Sequence, residues 1–172
     1  MPTTYEPIAS TTLSTSQSTI TFSSIPSTYT DLVLVMLARD TRSDGAGDGL
    51  TIRFNSDSNT NYSWTYLRAN GSTTYGDQQS NKTSLDGYEI TAAQAAANNF
   101  GTQIWNIMNY SNTTTFKTVL IRGGNPYVVD CAAGLYRSTS AISSIVIYPG
   151  FAGSSYSFVS GCRFTLYGIK AA

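Results

Sequence analysis

Short runs in which apolar and polar residues alternate, each ended by turn-forming residues, recur along the whole chain. A period of two puts one face of a strand in a core and the other in solvent. This pattern constrains the fold more than any other feature. Ile20 and Phe22 alternate with Thr19, Thr21 and Ser23. Residues 32–37 (LVLVML) form a continuous apolar run between Asp31 and Asp40, which predicts a central strand covered on both faces. Alternation resumes over 50–54, and over 62–67 Tyr62, Trp64 and Tyr66 share one face against Ser63, Thr65 and Leu67. Further strands are predicted over 103–110, 115–122, 127–136 with a break, 141–148 and 162–169, with a short one over 88–91. The sequences GGNP at 123–126 and PGFAG at 149–153 mark turns between them.

The remaining segments read differently. Residues 1–17 carry Pro2, Pro7 and a dense Ser/Thr tract, with Ile8 and Leu13 as the only apolar anchors. They predict an extended N-terminal arm that orders only when its own domain or a neighbour ties it down. Residues 69–84 are rich in Gly, Ser, Thr and Asn and predict a projecting polar loop. Residues 91–99 (TAAQAAANN) are the single credible helix, with Thr91 as its cap. The prediction is an all-β chain: an antiparallel β-sandwich, jelly-roll-like, with at most one short helix. Its 172 residues suffice for one domain, 18–172, behind the arm.

Composition excludes several functions. The chain has no histidine, which removes Ser-His-Asp and Cys-His catalysis and His-based metal sites. Ten Lys and Arg balance ten Asp and Glu, whereas nucleic-acid binders rely on excess positive charge. The longest apolar run, 32–38, has seven residues, against about 20 for a membrane span. The first residues lack the basic and apolar regions of a secretory signal. A protein made and kept soluble in a cytoplasm is therefore expected, with neither nucleic acid nor membrane as partner. Cys131 and Cys162 are expected as small buried strand residues, a late disulfide being the alternative.

Few residues offer chemistry. Asp40, Asp44 and Asp48, interleaved with glycines, form the best metal candidate, since calcium takes six to eight oxygens. Their four-residue spacing lacks an EF-hand pattern, and Asp and Gly also build any tight loop. Lys117 could serve a Ser-Lys pair with Ser111, but nothing else in the sequence marks it. Tyr62, Trp64, Tyr66 and Tyr75 could line the core, a subunit interface or a sugar-stacking platform. No catalytic residue and no cofactor is predicted. Low charge with a Ser/Thr/Asn surface lets identical copies crowd together. A homo-oligomer is expected, a trimer suiting this fold best.

Four stretches together carry a resemblance: MPTTYEPIA at 1–9, FSSIPSTYTDLVL at 22–34, NYSNTTTFKTVL at 109–120 and FTLYGIKAA at 164–172. The chain resembles a group of small structural proteins of tailed bacteriophages, prominent in cyanophages and other aquatic phages. The resemblance implies a place on the virion, on the head, the tail or a fibre, and carries over no functional residues. The expectation is a non-enzymatic capsid decoration or cement protein partnered by other virion proteins, above all the major capsid protein. The alternative is a tail or fibre module that recognises host polysaccharide.

Overall fold

The computed structural model describes residues 4–151 and 154–170. Residues 1–3 of the expected arm and 152–153 of the PGFAG turn lie outside the described residues. Fourteen strands follow in order: β1 (Tyr5–Thr12), β2 (Ile20–Phe22), β3 (Asp31–Ala38), β4 (Gly47–Asp48), β5 (Leu50–Phe54), β6 (Tyr62–Ala69) and β7 (Thr74–Lys82). They continue as β8 (Leu85–Asp86), β9 (Ile90–Thr91), β10 (Gly101–Met108), β11 (Lys117–Asn125), β12 (Val128–Tyr136), β13 (Ile145–Pro149) and β14 (Arg163–Ile169). Eight form a large sheet in the order β1-β14-β3-β10-β11-β12-β6-β7. Four form a small sheet in the order β2-β13-β5-β8, and β4 pairs with β9. All strand pairings are antiparallel. The protein is an antiparallel β-sandwich of unequal sheets, and its path switches sheets repeatedly. β2, β5, β8 and β13 lie in the small sheet, while β3, β6–β7, β10–β12 and β14 lie in the large one.

Alternation explains where the core sits. On β3 the side chains Leu32, Leu34, Met36 and Ala38 point inward and are wholly buried. Across the sheet they continue into Trp105, Ile107, Val119 and Phe164, which meet Ile52, Phe54, Ile145 and Ile147 of the small sheet in one cluster. Tyr62 stacks on Tyr136 at 4.8 Å, and Tyr136 packs on Phe54 at 5.5 Å. The opposite face of β3 is another matter. Val33 is buried, but Leu37 is 41% exposed, so the apolar run is covered fully on one face only.

Two other expectations change. The predicted helix at 91–99 is absent: hydrogen bonds from Ala95 N to Ala92 O and from Asn99 N to Ala96 O make two successive turns. The Arg39 guanidinium donates to the carbonyls of Ala93, Ala95, Ala96 and Asn99 at 2.8–3.0 Å. These carbonyls are taken by a side chain from β3's end, so a short segment with little helix stability of its own is drawn into turns. The predicted loop at 69–84 contains β7, whose first eight residues are exposed. A strand with no buried face carries no periodic signal. The segment expected as an arm is tied to its own domain, since β1 runs along β14 and Leu13 enters the core.

Candidate interaction face

Strand register sets the outward side chains of the large sheet in rows. One row runs Ser10, Thr165, Val35, Ile104, Arg122, Cys131, Leu67 and Gly76. The next runs Tyr167, Val33, Asn106, Leu120, Ala133, Thr65 and Gln78. Flanking rows hold Leu37 with Val129, and Met108 with Leu135. No sheet covers this face. Of the ten large apolar side chains exposed among the described residues, six lie on it: Tyr5, Leu37, Leu67, Met108, Leu120 and Val129. That clustering separates it from an ordinary surface, where exposed apolar residues are scattered singly.

The face is also large enough to matter. Eight strands at about 4.8 Å spacing, each near eight residues at roughly 3.3 Å, span on the order of 900 Å². One side of a stable protein interface covers about 800 Å². Two hollows relieve it. One, of about 510 Å³, lies over β6, β7, β11 and β12 and is lined by Ser63, Thr65, Gln78, Ser80, Thr118 and Leu135, among others. The second, of about 340 Å³, lies over β3, β10 and β14 beside Leu37, Arg163 and Tyr167. Arg122 and Arg163 point outward from the same face and make no ion pair among the described residues.

The aromatic candidates lie on the other side of the sheet. Tyr62 is wholly buried, and its hydroxyl donates to the Asp57 carbonyl at 3.2 Å and accepts the Phe54 N–H at 3.0 Å. Trp64 is 8% exposed and donates its Nε1–H to Asp86 at 3.2 Å. It stacks on Tyr66 at 5.2 Å, and the Arg68 guanidinium lies over Tyr66 at 4.8 Å and over Tyr75 at 5.9 Å. Residues 64, 66 and 68 follow one another along one face of β6, so Tyr66 is flanked from both sides. Tyr75, on β7, is the only one of the four with a largely open ring. Three of the four thus lie on the inner face, Tyr62 stacked on Tyr136 and Trp64 on Tyr66.

Beyond that stack lies a polar seam. It gathers Asp40, Asp44, Asp48, Asp86, Glu89 and Asp130, six of the chain's ten acidic residues. Arg68 pairs with Glu89 at 2.8 Å and approaches Asp130 at 3.7 Å. Asp130 accepts the Glu89 N–H at 2.8 Å and Gln103 Nε2–H at 3.1 Å, so its oxygens are engaged. Burial raises the Glu89 carboxyl above its ordinary range, partly offset by Arg68. Glu89 and Asp130 are joined by Arg68 rather than set across an open cleft, unlike the acid and base of a glycosidase.

The proposed metal triad does not converge. Asp44 is exposed and held by Arg42 at 2.6 Å, whereas Asp40 and Asp48 are buried. Among the described residues no group of three or more acidic or Cys side chains is arranged to hold a metal. Burial first, then the hydrogen bond and charge of Asp48, push the Asp40 carboxyl up to about 8. Neither residue's Oδ2 has a hydrogen-bond partner among the described residues.

Two further candidates resolve locally. Lys117 is buried and donates to the carbonyls of Asn112, Thr115 and Ser138 at 2.6–3.2 Å, with no serine hydroxyl among these acceptors. Of the two cysteines, Cys162 is buried beside Arg39 and Cys131 is exposed on the outer face; both are free thiols. Sequence reasoning therefore found the aromatic row but left core, interface and sugar platform open for it, and it missed the outer face. The signal was present in Leu67, Leu120, Val129 and Cys131, each alternating with an inward residue. No helix among the described residues is long and apolar enough to cross a membrane. No protein-family model matches the chain, and no curated protein sequence matches it either.

Proposed function

We propose that this chain is a non-enzymatic bacteriophage virion protein that decorates the head and seats the outer face of its large sheet on the capsid shell. The observation that carries the reading is that face: the sandwich leaves uncovered a sheet face the size of a protein interface, carrying six of the ten exposed large apolar side chains among the described residues. Its two unpaired arginines favour a shell surface that offers carboxylates. Binding across several shell subunits would stabilise the assembled particle by mass action. The resemblance to phage structural proteins supports a place on the virion, equally on head, tail or fibre. The strand order supports a jelly-roll winding in which β2-β13-β5-β8 is one four-stranded layer and β3-β10-β6-β7 the other. On that reading the β11–β12 hairpin is inserted between β10 and β6, and β1 and β14 extend the edge.

A different observation favours the second reading, a tail or fibre module for host polysaccharide. The larger hollow presents hydroxyls and amides from Ser63, Thr65, Gln78, Ser80 and Thr118, groups that pair with sugar hydroxyls. Gold-labelled antibody on intact particles separates the two. Even labelling of heads, lost in particles assembled with Leu120→Lys, is the expected result. Label confined to tails or fibre tips promotes the glycan module, and unlabelled particles with accessible epitopes overturn both readings.

A further inference from the structure

The sequence contains one Asn-Gly pair, Asn70-Gly71, and the fold sets it at the exposed tip of the β6–β7 hairpin. Asn70 Oδ1 accepts the Ser72 N–H at 3.2 Å, the Ser72 hydroxyl at 3.1 Å and the Thr73 N–H at 2.9 Å. These bonds hold the side chain back along the backbone that follows it. Asn70 Nδ2 and the Gly71 N–H make no hydrogen bond among the described residues. Gly71 has φ 88°, with nothing within 4 Å of where a Cβ would stand.

We infer that Asn70 is a site of self-modification, at which the Gly71 nitrogen displaces the side-chain amide and leaves aspartate or isoaspartate. Solvent hydroxide takes the Gly71 N–H proton, the nitrogen bonds to Asn70 Cγ, and the C=O pair moves onto Oδ1. The three donors to Oδ1 stand where that negative charge develops. The intermediate collapses as the Cγ–Nδ2 bond breaks, and Nδ2 leaves as ammonia with a proton from water, which restores the hydroxide. Water then opens the cyclic imide at either of its two carbonyls. The net change exchanges an amide and a water for a carboxylic acid and ammonia.

Two other asparagines have the same cradle. Asn112 Oδ1 accepts the N–H groups of Thr114 at 2.7 Å and Thr115 at 2.8 Å, and Asn125 Oδ1 accepts those of Tyr127 at 2.9 Å and Val128 at 3.1 Å. The residue that must supply the nitrogen differs. Pro126 has no N–H to lose, and the β-branched side chain of Thr113 crowds its nitrogen and stiffens the chain there. Of the three, only Gly71 offers an unhindered N–H, because it has no Cβ. The product alters the hairpin. Isoaspartate routes the main chain through the side-chain carbon and adds a methylene to a loop closed by Asn70 N–H on the Thr73 carbonyl at 3.2 Å. β7 pairs with β6 alone and its first eight residues are exposed, so little else holds it in place. Each event also adds a negative charge to a chain whose formal net charge is zero.

Purified full chain, held folded at mildly alkaline pH and sampled over weeks, tests this by ion exchange and by peptide mapping with tandem mass spectrometry. No particle is needed, so the result is independent of the virion reading. The expected result is a growing acidic species with aspartate and isoaspartate in place of Asn70, while Asn112 and Asn125 remain amides. Amide exchange over 74–82 should be faster in the isolated acidic species. Asn70→Gln, whose longer side chain must close a larger ring, should slow the appearance of acid at this position at least tenfold. Thr113→Gly, which gives the second cradle an unhindered nitrogen, should make Asn112 react. Both substitutions are on the surface, and unchanged circular dichroism will verify folding. An Asn70 that stays an amide throughout, an Asn112 or Asn125 that reacts as fast as Asn70, or an inert Asn112 in Thr113→Gly overturns the inference.

Discussion

The inner and outer faces of the large sheet belong to the same strands and differ by one residue of phase, yet their fates are opposite. Inward, Leu34, Trp105, Ile121 and Ala132 lie side by side and are buried. One residue away, the row containing Leu120, and the next containing Leu67, face solvent at 53% and 58% exposure. The outer face mixes apolar side chains with polar ones such as Asn106, Arg122 and Thr65; the small sheet covers one face and leaves the other. The comparison teaches that an apolar residue on a strand records a need for cover, not which partner supplies it. Within the chain that need is met inside the sandwich. The outer face retains it, which is why the proposed shell contact is placed there.

Paired truncations break the comparison most sharply. Trp105→Ala removes a wholly buried side chain and should cost about 3–5 kcal/mol. Leu120→Ala, on the outer face of the neighbouring strand, should change the stability of the isolated protein by about 0.5 kcal/mol or less. Urea unfolding of the two variants checks both values, and equal losses would mean that the outer face is covered in solution. A second test concerns the polar end of the inner face. Arg68→Ala leaves Asp130 buried without its cation and should cost about 3 kcal/mol. Arg68→Met, which retains some of the bulk but not the charge, should be no less damaging if charge rather than packing holds the seam.

A further test is a dependence on pH. The Asp40 carboxyl is raised by burial and by Asp48 from 3.8 to about 8, so the folded state binds a proton that the unfolded state has released. The associated stability is fully present below about pH 4 and is lost as pH rises toward 8. Asp40→Asn retains a donor toward Asp48 and removes the titration. Melting temperatures measured from pH 5 to 9 should fall less steeply in the variant, with the gap widest at the alkaline end. Parallel profiles would mean that Asp40 is ionised throughout this range in the folded protein.

Much of this was legible in the sequence because a period of two is a local property. Ile20 with Phe22, the run at 32–37 and the row Tyr62, Trp64, Tyr66 each announce a strand without reference to the rest of the chain. The inward direction of that aromatic row was one of its three open readings. Two segments were illegible for opposite reasons. Residues 74–82 have no apolar face to announce them and become a strand only because β6 lies alongside. Residues 91–99 announce a helix through their alanines, and Arg39, more than fifty positions earlier in the chain, binds the carbonyls that a helix would use. The raised Asp40 carboxyl has no local sign at all. Its spacing from Asp48 reads equally well as a loop, and only depth and mutual proximity shift the carboxyl.

The sequence by itself determined that this protein is made of strands, where most of them lie and that histidine-dependent catalysis is closed to this chain. These follow from side-chain periodicity, turn residues and the absence of histidine, all fixed residue by residue. Tertiary structure alone decided which apolar face is sealed and which carboxyl is raised. Each depends on what lies a few ångströms away across the fold, and residues far apart in the chain supply those neighbours.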